Sequence, residues 1–362
     1  MSELQSLFLV VLIIYLVQCL HWVAPGAAVF VLYSRGRGKR KRGGFVWSAL
    51  KTEGFLASPL PPLSPLAVAS WPAFQMDPDG ITIPEGEAIF FPWDGLTVTH
   101  SDSRLLCNDK TVFRGSEGQV LACFALLQRL RSAARPQRES MLERWLGQAM
   151  SARRVARRLR IFSGRSRWLK VLVNLQFVFL FLVVPLLFAW TGTGILWRAV
   201  LFLIGLSALI ALEFWAAHRK LYPAAGSTRL KAVVTIVLSP VAAIRACDVL
   251  ARDLLTGCHP LAAAGGMLHA QEFTEMAGEQ LRLCQFSGQP EKWYQRTMAR
   301  LITQAIKQAG ARPEKLLRPA QRQEDCVAYC PRCLAQYLKG AGPCADCGFE
   351  KLVVFRDAAA GP

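Results

Sequence analysis

The stretch from Leu169 to Ala217 decides most of what this 362-residue chain can become. It is apolar almost throughout and is interrupted by Thr191-Gly192-Thr193-Gly194, four small residues that suffice to reverse a chain. Each half reaches the roughly 20 residues that an α-helix needs to cross a hydrocarbon core about 30 Å thick. The pattern predicts a transmembrane helical hairpin over residues 169–217. Beyond Lys170 at its basic start, its two ionisable residues stand where they cost least: Arg198 near the reversal, able to snorkel, and Glu213 about one turn from the basic end at His218, Arg219 and Lys220.

A formal charge of +18 raises the possibility of nucleic-acid binding, and the distribution of that charge argues against it. Six cations fall in Arg35, Arg37, Lys39, Arg40, Lys41 and Arg42; thirteen lie between Arg129 and Lys170; four more are Arg219, Lys220, Arg229 and Lys231. Outside these clusters the chain is net negative. Every cluster flanks an apolar segment, which is what positive-inside insertion produces. Nucleic acid is therefore not an expected partner.

The first apolar segment, Leu7 to Leu32, follows six residues without Lys or Arg and precedes the run Arg35–Arg42. A cleavable signal peptide has the reverse order. Residues 1–33 are predicted to be a transmembrane anchor with the amino terminus outside, which makes the hairpin enter and leave on the cytosolic side. The expected fold is a predominantly α membrane protein with three transmembrane helices, in a bacterial-type inner (cytoplasmic) membrane, with the bulk of the chain cytosolic.

Residues 34–79 read as a basic and Pro-rich linker, stiffened by Pro59, Pro61, Pro62, Pro65, Pro72 and Pro78. Short β-prone runs follow at 81–83, 87–91, 96–99, 104–107 and 111–113, closed by an amphipathic helix on which Val120, Phe124, Leu127 and Leu130 recur. With the corner Phe91-Pro92-Trp93-Asp94, residues 80–133 are similar to small bacterial pleckstrin-homology-like modules, a resemblance that implies a membrane-proximal interaction module. Residues 134–168 predict a basic amphipathic juxtamembrane helix whose Arg153, Arg154, Arg157 and Arg158 suit anionic lipid headgroups.

Helices are expected across 232–309, interfacial or cytosolic. Ser239-Pro240 reads as an N-cap followed by proline at the first helical position. Beyond it Arg245, Asp248 and Arg252 share one helix face, opposite Val241, Ile244 and Leu255. Two further helices are expected, about 261–286 and 290–309.

The motif with the most chemical content is near the carboxyl end. Cys330-Pro-Arg-Cys333 and Cys344-Ala-Asp-Cys347 are two C-x2-C knuckles separated by ten residues. Two residues between cysteines let both sulfurs converge on one metal, and two such turns complete a tetrahedral thiolate shell. Residues 326–356 resemble a zinc ribbon, which implies Zn2+ held by Cys330, Cys333, Cys344 and Cys347. Four protein ligands leave no open position, so the zinc is expected to be structural. Cys326 reads as a spectator, and Cys19, Cys107, Cys123, Cys247, Cys258 and Cys284 as core residues.

No hydrolase, metalloprotease, phosphate-loop or dinucleotide motif occurs. The polar constellation to weigh is Asp248, Asp253, Cys258, His259, His269, Glu272 and Glu275, with His259, His269 and Glu272 as catalytic candidates. Histidine and glutamate one turn apart are also common on solvated helices. The expected function is accordingly a non-enzymatic scaffold, regulatory or assembly protein that offers its module and ribbon to a protein partner. An enzyme at the lipid interface using the His259, His269 and Glu272 region, or nucleic-acid binding through the zinc ribbon, is the alternative.

Overall fold

A computed structural model describes residues 3–23, 27–32, 45–47, 54–58, 65–72, 74–83, 88–101, 103–115, 117–191, 196–222, 226–286, 292–348 and 350–355. The cationic run Arg35–Arg42 and the reversal Gly192-Thr193-Gly194 lie outside them. The chain is mostly helical with small sheets. Its helices are α1 (Glu3–Gln18), α2 (Glu117–Ser132), α3 (Arg135–Ala149), α4 (Ala152–Val178), α5 (Val184–Thr191), α6 (Leu196–Leu221) and α7 (Gly226–Leu238). They continue with α8 (Pro240–Ile244), α9 (Ala246–Arg252), α10 (Pro260–Met267), α11 (Ala270–Gln285), α12 (Trp293–Gln308) and α13 (Pro313–Leu316). Two compact units form, Met1–Ala73 with Thr97–Gln128 and Arg153–Pro260, and Phe74–Leu96 with Arg129–Ala152 and Leu261–Pro362.

In the first unit α4 runs through a π-helical turn, Phe179–Val183, directly into α5. The result is an unbroken helical segment, Ala152–Trp190, of 39 residues; α6 contributes Trp197–Leu221, of 25. Among the described residues these two are the helices long and apolar enough to cross a membrane. The third predicted crossing is replaced by something shorter. Helix α1 has 16 residues, about 24 Å at the α-helical rise. Its chain then turns to strand: Leu20–Val23 pairs with Gly54–Ala57, and Ala28–Val31 pairs with Phe45–Trp47 and Leu66–Ala69. Val23, Val29, Phe30 and Val31 are β-branched or aromatic, and their hydrophobicity fits a buried strand as well as a membrane helix.

The two long helices are held in register by a buried amide. Gln176, fully buried on α4, donates from Nε2 to Ser207 Oγ of α6 at 2.8 Å and to the Pro240 carbonyl at 3.0 Å. Eight residues from Gln176 stands Trp168, and eight from Ser207 in the same direction stands Trp215. Trp190 and Trp197 close the opposite end, and all four rings are exposed.

The basic segment predicted as a separate juxtamembrane helix is continuous with the apolar one; the helix break falls earlier, between Ala149 and Ala152. Arg158 is not a free surface cation. Its Nη1 donates to the Leu254 carbonyl at 3.1 Å and the Thr256 carbonyl at 2.7 Å, and lies 3.4 Å from Cys258 Sγ. Arg153, Arg157, Arg160 and Arg167 are exposed. Helix α7 packs on α6. Ser239 then caps α8 as its sequence predicts, Oγ accepting from the Ala242 N–H at 3.2 Å.

The β-prone runs after the linker exist as strands but in two sheets. Val98–His100, Arg104–Cys107 and Lys110–Arg114 form one in the first unit, beside α2 through a His100–Phe124 ring contact of 4.5 Å. Gln75–Asp77, Gly80–Ile83 and Ile89–Pro92 form the other in the second unit. There Gly80 is required, since a Cβ would lie 2.2 Å from the Phe91 carbonyl oxygen. Asp77 Oδ1 accepts the Tyr294 N–H at 2.9 Å, tying this sheet to α12. Trp293 Nε1 to Glu139 at 3.0 Å and Arg300 to Glu143 at 2.8 Å join α12 to α3. The predicted helix over 261–286 is two helices, because His269 is extended, with φ −67° and ψ 154°.

Candidate metal centre

The two knuckles are built alike. In the first, the Leu334 N–H donates to the Cys330 carbonyl at 2.9 Å; in the second, the Gly348 N–H donates to the Cys344 carbonyl at 2.8 Å. Leu334 and Gly348, each one residue past a knuckle, have φ of 63° and 76°. The left-handed residue turns the chain away after the second cysteine and leaves backbone N–H groups facing the sulfurs. One such contact, from Cys347 N–H to Cys344 Sγ, measures 3.4 Å.

The strands Ala328–Tyr329, Gln336–Tyr337 and Val353–Val354 form a three-stranded antiparallel sheet that carries both knuckles. Tyr329 stacks on Phe355 at 5.0 Å, and the Arg322 guanidinium lies over the Phe355 ring at 5.4 Å. Arg282 of α11 donates to the Arg332 carbonyl at 3.2 Å and the Leu316 carbonyl at 2.7 Å, which fixes the first knuckle to the helices of its unit.

The four Sγ atoms all lie within 4.8 Å of one another, with Cys330–Cys347 at 3.9 Å and Cys333–Cys344 at 3.6 Å. Four sulfurs at about 2.3 Å from a tetrahedral zinc are separated by about 3.8 Å. The shell thus has the size and donor set of a four-cysteine zinc site, and four thiols this close together could hold such an ion. Burial disfavours ionisation of the Cys344 thiol, but hydrogen bonds from the Tyr337 hydroxyl at 3.1 Å, the Cys347 N–H and the neighbouring thiols outweigh it and bring it down to about 6. Cys326 stays outside this shell, its Sγ 3.9 Å from Gln323 Oε1. Burial pushes Cys107 and Cys123 up to about 12, so these thiols are inert core residues.

The three catalytic candidates are placed differently. His259 is buried in the first unit, its ring 4.6 Å from that of Trp71, and burial lowers it to about 3, so it is neutral at pH 7. His269 and Glu272 are exposed in the second unit and cap α11: Glu272 Oε2 accepts the His269 N–H at 3.3 Å, a capping box that accounts for their spacing.

A constellation that joins Arg245 and Asp248 to residues not singled out from sequence sits in the first unit. Arg245 and Asp248, predicted on a polar helix face with Arg252, are 4% and 1% exposed. Arg245 pairs with Asp248 and donates to the Ser58 carbonyl. Asp248 Oδ1 accepts the Leu66 N–H at 2.8 Å. His21 Nε2 lies 2.7 Å from both Asp248 Oδ2 and Arg245 Nη2, so it either donates to the carboxylate or accepts from the guanidinium. The partners are more than 180 residues apart in sequence, and an i,i+3 Arg–Asp pair carries no signal of burial by itself.

No protein-family model, curated protein or solved structure matches the chain.

Proposed function

We propose that the protein is a non-enzymatic scaffold of a bacterial inner membrane, anchored by the α4–α6 hairpin, that holds a zinc-stabilised ribbon and its helical unit in the cytosol for a protein partner. The observation that carries this reading is the closed four-thiol shell on a chain that also bears a Trp-bounded apolar hairpin. A metal with four protein ligands has no position for substrate or water, and its chemistry is to hold about thirty residues folded. Trp168 and Trp215 at one end, Trp190 and Trp197 at the other, match the aromatic belts of a spanning pair. From Trp168 to Trp190 is about 33 Å of helix, the thickness of a hydrocarbon core. The basic residues flanking both helices support the cytosolic placement of their outer ends.

This arrangement also shapes the expected lipid contact. A helix that leaves the membrane without a break carries Arg153 about 22 Å beyond Trp168, outside the headgroup layer and more than a Debye length from it. Of the exposed cations of α4, Arg160, Arg165 and Arg167 are within reach of anionic headgroups, and Arg153 and Arg157 are left for a protein partner.

The test compares detergent-purified wild type with Cys330→Ser/Cys333→Ser by elemental analysis and by proteomics of the co-purifying proteins. One zinc per chain, lost in the variant together with a stoichiometric partner, is expected. Zinc lost with the same partner retained reduces the ribbon to a fold staple. A protein that never carries a stoichiometric partner is not a scaffold.

A further inference from the structure

Hydrogen bonds from three side chains map the segment 226–258 onto the hairpin, and with the reading of that hairpin as membrane-spanning they place part of it inside the bilayer. Gln176 Nε2 donates to both Ser207 Oγ and the Pro240 carbonyl, so Pro240 stands level with the point eight residues past Trp168. That is about 12 Å along the helix from the Trp168–Trp215 plane. At the other end Arg158, eighteen residues before Gln176, holds the Leu254 and Thr256 carbonyls. The chain from Pro240 to Thr256 therefore descends alongside α4, and Asp248 falls level with Trp168. Tyr222 Oη donates to the Leu250 carbonyl at 2.8 Å, fixing the end of α6 beside the same limb. Helix α7 climbs from there back to Ser239, thirteen residues or about 20 Å.

The outward side of α7 agrees with that depth. Leu230, Val234, Val237 and Leu238 are 57%, 47%, 37% and 77% exposed, and they recur at the spacing of one helix face. They continue the exposed apolar surface of α6, on which α7 packs. Lys231, the exposed cation of α7, lies about where the Trp168 plane crosses the helix and pairs with Glu117 at 3.8 Å; Arg229, the other, is buried.

We infer that residues 226–258 form a re-entrant helical hairpin that dips into one leaflet, where the Leu230–Leu238 face of α7 is covered by acyl chains, and returns carrying Arg245 and Asp248 at headgroup level. Irregular backbone at that depth is tolerated when protein encloses it, and Val241, Ala243, Ile244 and Ala246 around the α8–α9 turn are buried. The occupant is lipid because the face is continuous with the lipid-facing surface of the spanning helices and has no charge toward its tip.

The experiment labels single cysteines in open membrane fragments with a membrane-impermeant maleimide and counts each site by peptide mass spectrometry. Leu238→Cys tests the dip, Leu182→Cys the spanning hairpin, and Arg153→Cys is the aqueous reference. Leu238→Cys and Leu182→Cys are expected to react at least about tenfold more slowly than Arg153→Cys. Because Leu238 is 77% exposed in the protein, the fold itself cannot supply that protection. Rapid labelling of Leu238→Cys beside a protected Leu182→Cys overturns the dip and leaves the hairpin standing; rapid labelling of both overturns the two together. Wild-type protein in nanodiscs containing a diazirine on the acyl chain provides the second measurement. Lipid adducts on the peptide holding residues 230–238 are expected, and cross-links to a second copy of the chain in their place overturn the assignment.

Discussion

Replacing Asp248 separates a buried charge pair from incidental polar contacts. Its carboxylate is 1% exposed, accepts the Leu66 N–H and pairs with Arg245, itself 4% exposed. Asp248→Asn keeps an oxygen for Leu66 but strands the guanidinium, a cost of about 3–5 kcal/mol for a buried charge without its partner. Arg245→Met leaves the buried carboxylate with His21 and the Leu66 N–H but without its guanidinium and deprives the Ser58 carbonyl of its donor, with a cost of up to about the same size. The double variant strands no charge, and what remains is the lost hydrogen bonding, about 1–3 kcal/mol. It should therefore be more stable than either single variant, with a coupling of about 2 kcal/mol or more. Denaturant titration in a mild detergent at pH 7, followed by circular dichroism, measures all four proteins. If the two single costs simply add to within about 0.5 kcal/mol, the pair is not a coupled buried ion pair and the reasoning fails.

Stripping the metal with a chelator should unfold the ribbon alone, because the metal-binding energy of a structural site is folding energy; limited proteolysis should then cut within residues 326–355 while α4–α6 peptides stay intact, and a ribbon that resists cleavage without metal refutes the zinc-staple reading. Tyr337→Phe removes the hydroxyl 3.1 Å from Cys344 Sγ, and losing such an outer partner should weaken zinc binding about 10–100-fold in competition with a chromophoric chelator; unchanged affinity contradicts it. His259 is lowered from 6.5 to about 3 by burial, so its contribution is complete above pH 6.5 and is lost as pH falls toward 3. At pH 5 this amounts to about 2 kcal/mol, and His259→Phe should remove that part of the acid sensitivity in melts at pH 7 and pH 5.

The features legible from sequence are those set by neighbours along the chain. The knuckles, the Ser239-Pro240 cap and the α4–α6 hairpin all depend on short spacings or on one long apolar run. What escaped depends on distant partners. The strand Leu20–Val23 needs Gly54–Ala57 to complete its hydrogen bonds, and without that knowledge its apolar residues extend a helix. The strands over 75–114 were legible one by one, yet their division between two sheets rests on α2, α3 and α12. Arg245 and Asp248 were legible as partners on one helix face, but their burial was not, because it depends on the approach of His21, Ser58 and Leu66.

The unbroken Ala152–Trp190 segment has a mechanical consequence. It is a rod about 58 Å long, and on the membrane-spanning reading about 24 Å of it stands outside the bilayer as a lever arm. A bilayer that thickens or thins is met by a change of helix tilt, and about 10° of tilt sweeps the Ala152 end through about 4 Å. The Arg158 clamp on Leu254 and Thr256 makes the returning limb of residues 240–258 move with the arm. On that reading, a change in bilayer thickness would displace Arg153 and Arg157, the exposed cations at the far end of the arm.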